Sequence, residues 1–156
     1  MLWGDVSGIV DTGGTEEGLL SLAFSPGFAQ DGRVYLYYTA ASPNRSVLAR
    51  YSATANALDG NSDEVLLSIL QFAPNHNGGH IAFDHNDYLL LSTGDGGGSG
   101  DPNENGQALD TLLGKVLRID VSADTGYAIP GGNRSPTGPA VTWTRSSPTG
   151  CGTRGG

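Results

Sequence analysis

Asn75-His76-Asn77-Gly78-Gly79-His80 opens an apolar run, Ile81-Ala82-Phe83. After a turn a second run follows, Tyr88-Leu89-Leu90-Leu91, which leads into Ser92-Thr93-Gly94-Asp95-Gly96-Gly97. Short apolar segments bounded by glycine- and aspartate-rich turns read as paired strands. In an antiparallel hairpin the residue before the first strand and the residue past the second lie at the same end, so His76 and Asp95 can meet. A carboxylate fixes the imidazole tautomer and stabilises the imidazolium formed on proton uptake, which makes such a pair a ready general base. The plainer alternative is a loop histidine bonded to a backbone carbonyl.

The same grammar extends outward in both directions. Strands are expected at Leu19–Phe24, closed by Ser25-Pro26-Gly27, then at Arg33–Thr39, Ser46–Ala53 and Glu64–Leu70. Ile81–Phe83, Tyr88–Thr93 and Lys115–Val121 complete the set, with one short helical turn expected over Gln107–Leu113. Ala23-Phe24, a turn with Asp31, and Val34-Tyr35-Leu36 recur as Ala82-Phe83, a turn with Asp87, and Tyr88-Leu89-Leu90. An offset of roughly 50–60 residues suits propeller blades with loop insertions, and two similar hairpins also suit a plain β-sandwich.

Length allows one ordinary domain with a core. Sixteen acids against eight bases leave no basic footprint for nucleic acid. No apolar run is long enough to span a bilayer, and Met1-Leu2-Trp3-Gly4-Asp5 lacks the basic and apolar regions of an export signal. Cys151 is the single cysteine, so no internal disulfide forms. All the acids lie at or before Asp124, whereas Gly131 to Gly156 holds three arginines, no acid, and mostly Gly, Pro, Ser and Thr. Such a composition does not bury enough surface to offset its ordering entropy. Residues 1–130 are therefore expected to fold and 131–156 to be disordered.

Four motifs carry a family resemblance. They are Glu17-Gly18-Leu19-Leu20-Ser21-Leu22-Ala23-Phe24-Ser25-Pro26-Gly27-Phe28, the His76 stretch, Gly94-Asp95-Gly96-Gly97, and Leu113-Gly114-Lys115-Val116-Leu117-Arg118-Ile119-Asp120. In this order they resemble the soluble PQQ-dependent aldose sugar dehydrogenases, also called the glucose/sorbosone dehydrogenase family. The resemblance runs from about Gly14 to Pro130 and covers the N-terminal third of such a domain. It implies an all-β fold, a fragment of a six-bladed β-propeller of roughly two blades, with pyrroloquinoline quinone (PQQ) and calcium at the wide mouth. By resemblance His76 is the catalytic base that takes the proton of the sugar's anomeric hydroxyl while hydride passes to the quinone, giving a lactone. Asp95 is the acid beside it. Glu16 and Asn75 fall on cofactor-binding positions where relatives carry Gln and Asp. No metal ligand is assigned, and most residues that hold PQQ and calcium lie outside this chain. The implied partners are an aldose sugar and an electron acceptor, and the implied location is periplasmic or extracellular. A fragment with unpaired strand edges is expected to be marginal, aggregation-prone or oligomeric, and inactive alone. Two other classes compete on the same fold, a non-enzymatic binding module and a calcium-dependent lactone hydrolase.

Other motifs read blandly. His76 and His80 have H-x-x-x-H spacing, which needs a helix to bind metal, and Gly78-Gly79 opposes one. His85 reads as a turn residue and Glu16-Glu17 as a solvated pair. Asp101-Pro102-Asn103-Glu104-Asn105-Gly106 matches half of a calcium loop, but Leu112 stands where the bidentate glutamate belongs, so a polar turn is expected. Tyr35, Tyr37 and Tyr38 are expected in strand packing, not as a sugar-stacking platform.

The family resemblance also offers an origin for the tail. Relatives continue with a segment resembling Asp-Glu-Val-Phe-Ala-Tyr-Gly-Leu-Arg-Asn-Pro-Trp-Arg. One GC-rich coding of that peptide, read one base late, yields Thr144-Arg145-Ser146-Ser147-Pro148-Thr149-Gly150-Cys151-Gly152-Thr153-Arg154-Gly155. A frameshifted tail is therefore expected. Resequencing the gene through this region should show an inserted or deleted base, and an intact single frame would overturn this reading.

Overall fold

The computed structural model describes residues 2–131, and the tail beyond Gly131, with its expected disorder and frameshift, lies outside them. In chain order the elements are β1 (Leu19–Phe24), the one-turn helix α1 (Phe28–Asp31), β2 (Arg33–Ala40), β3 (Arg45–Ser52), β4 (Glu64–Leu70), β5 (Gly78–Phe83), β6 (Leu89–Thr93) and β7 (Val116–Ile119). They form two antiparallel meanders, one ordered β1-β2-β3-β4 and the other β5-β6-β7. The first sheet is complete before the second begins, and no strand changes sheet, which separates this topology from a Greek-key sandwich. The two opening strands adjoin, with Ile81 N donating to Ser21 Oγ at 3.2 Å. This is the arrangement of two neighbouring propeller blades.

The repeat noted in the sequence is structural. Phe24 pairs with Val34 at the closed end of β1–β2, and Phe83 pairs with Leu89 at the same place in β5–β6. Alternation then sets the layers. Tyr35, Tyr37 and Leu48 face the second sheet and pack against Ile81, Leu89, Leu91, Leu117 and Ile119. Tyr35 meets Phe83 edge to face, with ring centroids 5.4 Å apart. On the opposite face, Val34, Leu36, Tyr38, Val47, Ala49 and Tyr51 are covered by Trp3, Val6, Val10 and Leu58. Because β2 and β3 are buried on both faces, they read as continuous apolar runs instead of alternating ones. The tyrosines are core residues, as expected.

Two arginines tie the segment after β7 to the first sheet. Arg50, 5% exposed, donates to Ala123 O at 2.7 Å and also bonds Asp124 O and Glu64. Arg33 reaches Ser122 O at 2.9 Å and Asp124 at 2.6 Å. The structure corrects the helix expectation. Residues 107–113 form turns, whereas the helical turn sits at Phe28–Asp31, where Gly32 at φ 61° donates its N–H to Phe28 O and stops it. A single turn leaves no 3.6-residue period to read.

Burial pushes the Tyr37 phenol up to about 12, and its hydroxyl finds no partner in normal hydrogen-bond geometry, so nearby Ser46 offsets little. The unfolded chain releases this proton near pH 10 and the folded one near 12, so the unfolded state binds fewer protons in that window. The stability contributed is complete below about pH 10 and lost as the pH rises toward 12, about 3 kcal/mol in all. Urea midpoints should hold steady to about pH 9.5 and then fall, and Tyr37→Phe should flatten the fall. An unchanged slope in Tyr37→Phe would contradict the buried phenol.

Candidate active site

The site forms where β5 starts and β6 ends. Gly78 pairs with Thr93, so the loop before β5 and the loop after β6 share one wall. Their backbones touch: a Cβ built on Gly94 would lie 1.6 Å from His76 O, and the Gly94 carbonyl itself accepts from Gly114 N at 2.6 Å. Only glycine allows that approach.

His76 adopts φ 56°, in the left-handed region that β-carbon-bearing residues avoid. Three contacts hold it there. Its N–H donates to Glu16 Oε2 at 2.6 Å. Asn77, 1% exposed, donates through Nδ2 to Glu16 O at 3.1 Å and to Pro74 O at 3.3 Å, closing the turn from inside. The imidazole then meets the carboxylate, with His76 Nδ1 and Asp95 Oδ1 2.9 Å apart. Asp95 Oδ1 also accepts from Gly97 N at 2.9 Å. With Nδ1 carrying the proton, Nε2 keeps its lone pair, and no described residue bonds it. The His76 side chain is 41% exposed and that of Asp95 24%, so the base is open to a ligand while its partner is sheltered.

All four residues singled out in the sequence thus converge. Asn75 contributes from below: its Oδ1 accepts from Gly98 N at 3.3 Å and lies 2.4 Å from where a Gly97 Cβ would be. Glu16 enters through the His76 main chain. Two residues went unread, Asn77 and Asn105. Asn77 precedes Gly78-Gly79, a position where a buried amide commonly closes a turn. Asn105 donates to Asp95 O at 2.8 Å, and Lys115 Nζ donates to Asn105 O and Leu113 O, both at 2.7 Å. Burial holds the Lys115 ammonium below its ordinary range, against the pull of Asp101 and Asp110.

The remaining motifs take no part. His80 lies exposed within β5, exchanging main-chain bonds with Ser92 Oγ, and His85 Nε2 meets Asn86 in the β5–β6 turn. Both carboxylate oxygens of Asp101 are taken by its own loop, from Asn105 N at 2.9 Å and Gly106 N at 2.8 Å, which is the polar turn expected. Among the described residues no group of three His, Cys, Asp or Glu side chains could hold a metal ion.

A quinone with several carboxylates needs cations. Arg33, Arg45, Arg50 and Arg118 bond Asp124, the carbonyls of Ala41 and Pro43, Glu64, and Asp84 respectively, and Lys115, linked to Asp95 through Asn105, is engaged by the carbonyls of Asn105 and Leu113. Around the imidazole stand Glu16, Asp95 and Asn75. The described residues therefore fit a base beside a bound ligand and do not fit the cradle of a polyanion.

Comparison with known proteins gives a consistent picture. A family model described as Glucose / Sorbosone dehydrogenase matches residues 5–142, a match that ends just before Thr144. The PQQ-bound form of aldose sugar dehydrogenase from Streptomyces coelicolor is 34% identical with a TM-score of 0.57, covering 87% of this chain and 36% of that one. An oxidoreductase from Thermus thermophilus described as a glucose dehydrogenase is 35% identical with a TM-score of 0.58, covering 66% of this chain and 31% of that one. Hedgehog-interacting protein from Mus musculus is 33% identical over 135 residues, 78% of this chain and 19% of the relative. The chain thus spans about a fifth of that relative and about a third of the two solved structures.

Gly94→Ala should drive His76 O from the strand end. The substitution is expected to cost about 1–3 kcal/mol in urea unfolding, as overpacking does. A stability change under about 0.5 kcal/mol would contradict the contact.

Proposed function

The chain belongs to the glucose/sorbosone dehydrogenase family, and on that premise we propose that it is a portion of a quinoprotein that oxidises the anomeric carbon of aldose sugars to lactones. The observation that carries this reading is the 2.9 Å contact of His76 Nδ1 with Asp95 Oδ1, which leaves Nε2 open as a proton acceptor. In the proposed reaction Nε2 removes the proton of the anomeric hydroxyl and Asp95 stabilises the imidazolium. PQQ, implied by the resemblance and bound in the similar Streptomyces coelicolor enzyme, would supply the two-electron acceptor. The residues that would hold its carboxylates, and the calcium of the resemblance, belong in this proposal to sequence beyond the described residues. Glu16 and Asn75 shape the floor of the site.

Three further points belong to the proposal. The sugar and an electron acceptor meet the protein in the periplasm or outside the cell, as the resemblance implies. No helix among the described residues is long and apolar enough to cross a membrane. Leu22, Phe24, Val65, Leu70 and Phe72 are exposed on and beside the edge strands β1 and β4, which favours self-association of the chain alone. The frameshifted tail, residues 131–156, is part of the same proposal, and the family match extends into it as far as residue 142.

One observation favours a second reading, a binding propeller without chemistry: the relative named for an interaction with Hedgehog is as similar as the dehydrogenases. The calcium-dependent lactone hydrolase is the third reading, and the described residues offer no metal cluster for it or for the calcium of the first.

Dye reduction with PQQ, calcium and glucose separates these readings. A protein that carries this sequence with the remaining blades should reduce dye, and His76→Ala should lower the rate by about 10²–10⁴-fold. Wild-type protein that binds PQQ yet leaves the dye oxidised would favour the binding module, and lactone hydrolysis without quinone the hydrolase. The 156-residue chain alone should give no sugar-dependent reduction, because positioning of the oxidant is missing. A rate from that chain abolished by His76→Ala would overturn this.

A further inference from the structure

We propose that Asn105, held by Lys115, is a positioning residue that sets Asp95 for the His76 base. The inference rests on the reading of His76 as a base.

The need for such a residue follows from the loop that carries Asp95. Gly96, Gly97 and Gly98 have φ of 92°, 98° and 85°, so the chain after Asp95 has little intrinsic stiffness. The carboxylate's own bond to Gly97 N lies inside this loop and moves with it. Outside bonds hold the loop on either side, Gly94 O from Gly114 N at 2.6 Å, Gly96 O from Ala73 N at 3.2 Å and Gly98 N on Asn75 Oδ1 at 3.3 Å, and the Asn105 amide is the anchor on Asp95 itself, donating to its carbonyl at 2.8 Å. Asn105 is itself held at both ends through its main chain. Its N–H donates to Asp101 Oδ1 at 2.9 Å, and its carbonyl accepts from Lys115 Nζ at 2.7 Å.

Lys115 stands on rigid ground at the entry to β7. Its N–H donates to Thr93 Oγ1 at 3.0 Å, and its carbonyl accepts from Thr93 N at 2.8 Å. Thr93 is the last residue of β6, two residues before Asp95. The ammonium spans two carbonyls, those of Asn105 and Leu113, and charge-assisted bonds of this kind are stronger than neutral ones. The path from sheet to base is therefore short and continuous: Thr93, Lys115, Asn105, Asp95, His76. Small displacements in such a chain matter, since catalytic groups work within tolerances well under an ångström or two.

The test reads the imidazole directly in the 156-residue chain, labelled with ¹⁵N at histidine and observed where the ring is neutral. Wild type should show His76 as the Nδ1–H tautomer. Asn105→Asp keeps the shape and removes the donor, so it should lower the Nδ1–H to Nε2–H ratio at His76 by roughly fivefold, the effect of one hydrogen bond. Lys115→Met should move it the same way. The near-ultraviolet circular dichroism of the buried tyrosines Tyr35, Tyr37 and Tyr51 should match wild type and report an intact fold. If wild-type His76 lacks the Nδ1 proton, the base reading itself fails. If wild type has it and a variant with the wild-type tyrosine signal keeps the same ratio, the positioning role is overturned and the base stands. Should Asn105→Asp lose that signal, Lys115→Met decides on the same criterion.

Discussion

The close passage of two backbones, His76 over Gly94, governs the site. Because no side chain stands between them, the loop before β5 lies directly on the loop after β6, and the imidazole of one reaches the carboxylate of the other. The packing beneath makes that approach persistent. Leu89 and Leu91 of β6, fully buried, lock its register against Ile81 and Leu117, and a slip by one residue would turn these side chains to the open face. The ladder thus fixes where β6 ends, and with it where Asp95 begins. A left-handed His76 is costly by itself, and the Glu16 carboxylate and the Asn77 amide offset that cost from two directions.

Much of this is legible in the residues. Apolar runs between Gly and Asp turns locate each strand within a residue or three at either end, because alternation and turn chemistry act locally. The meeting of His76 and Asp95 follows from hairpin geometry alone. The contacts that hold the pair are harder to read. Glu16 reaches His76 across 60 residues, and only the packing of β1 beside β5 brings it there. Arg50 is a charged residue inside a strand, yet it is buried with its guanidinium on carbonyls of the segment after β7. Long-range polar contacts of this kind leave no periodic trace. The glycines at 96–98 announce a loop but not its anchor, and Asn105 stands hidden in a turn that resembles half of a calcium loop.

Charge divides the labour in the proposed enzyme. An acidic neighbourhood suits a base that must stabilise an imidazolium, and it disfavours a bound polycarboxylate. The described residues therefore favour proton chemistry, and a quinone would need its cations from elsewhere in the propeller. Blades in such a fold each bring part of a shared mouth, so a site split across blades is the natural outcome. The likeness both to dehydrogenases and to Hedgehog-interacting protein means that similarity over these residues does not by itself fix a function.

The central claim is that Nε2 of His76 receives the proton of a sugar hydroxyl. A crystal structure of the protein that carries this sequence, with PQQ and an aldose bound, tests it most directly. The expected result places the anomeric hydroxyl within about 3 Å of His76 Nε2, with Nδ1 still on Asp95. A sugar bound at the propeller mouth with its anomeric hydroxyl facing another side chain, and His76 bonded only to protein, would contradict it.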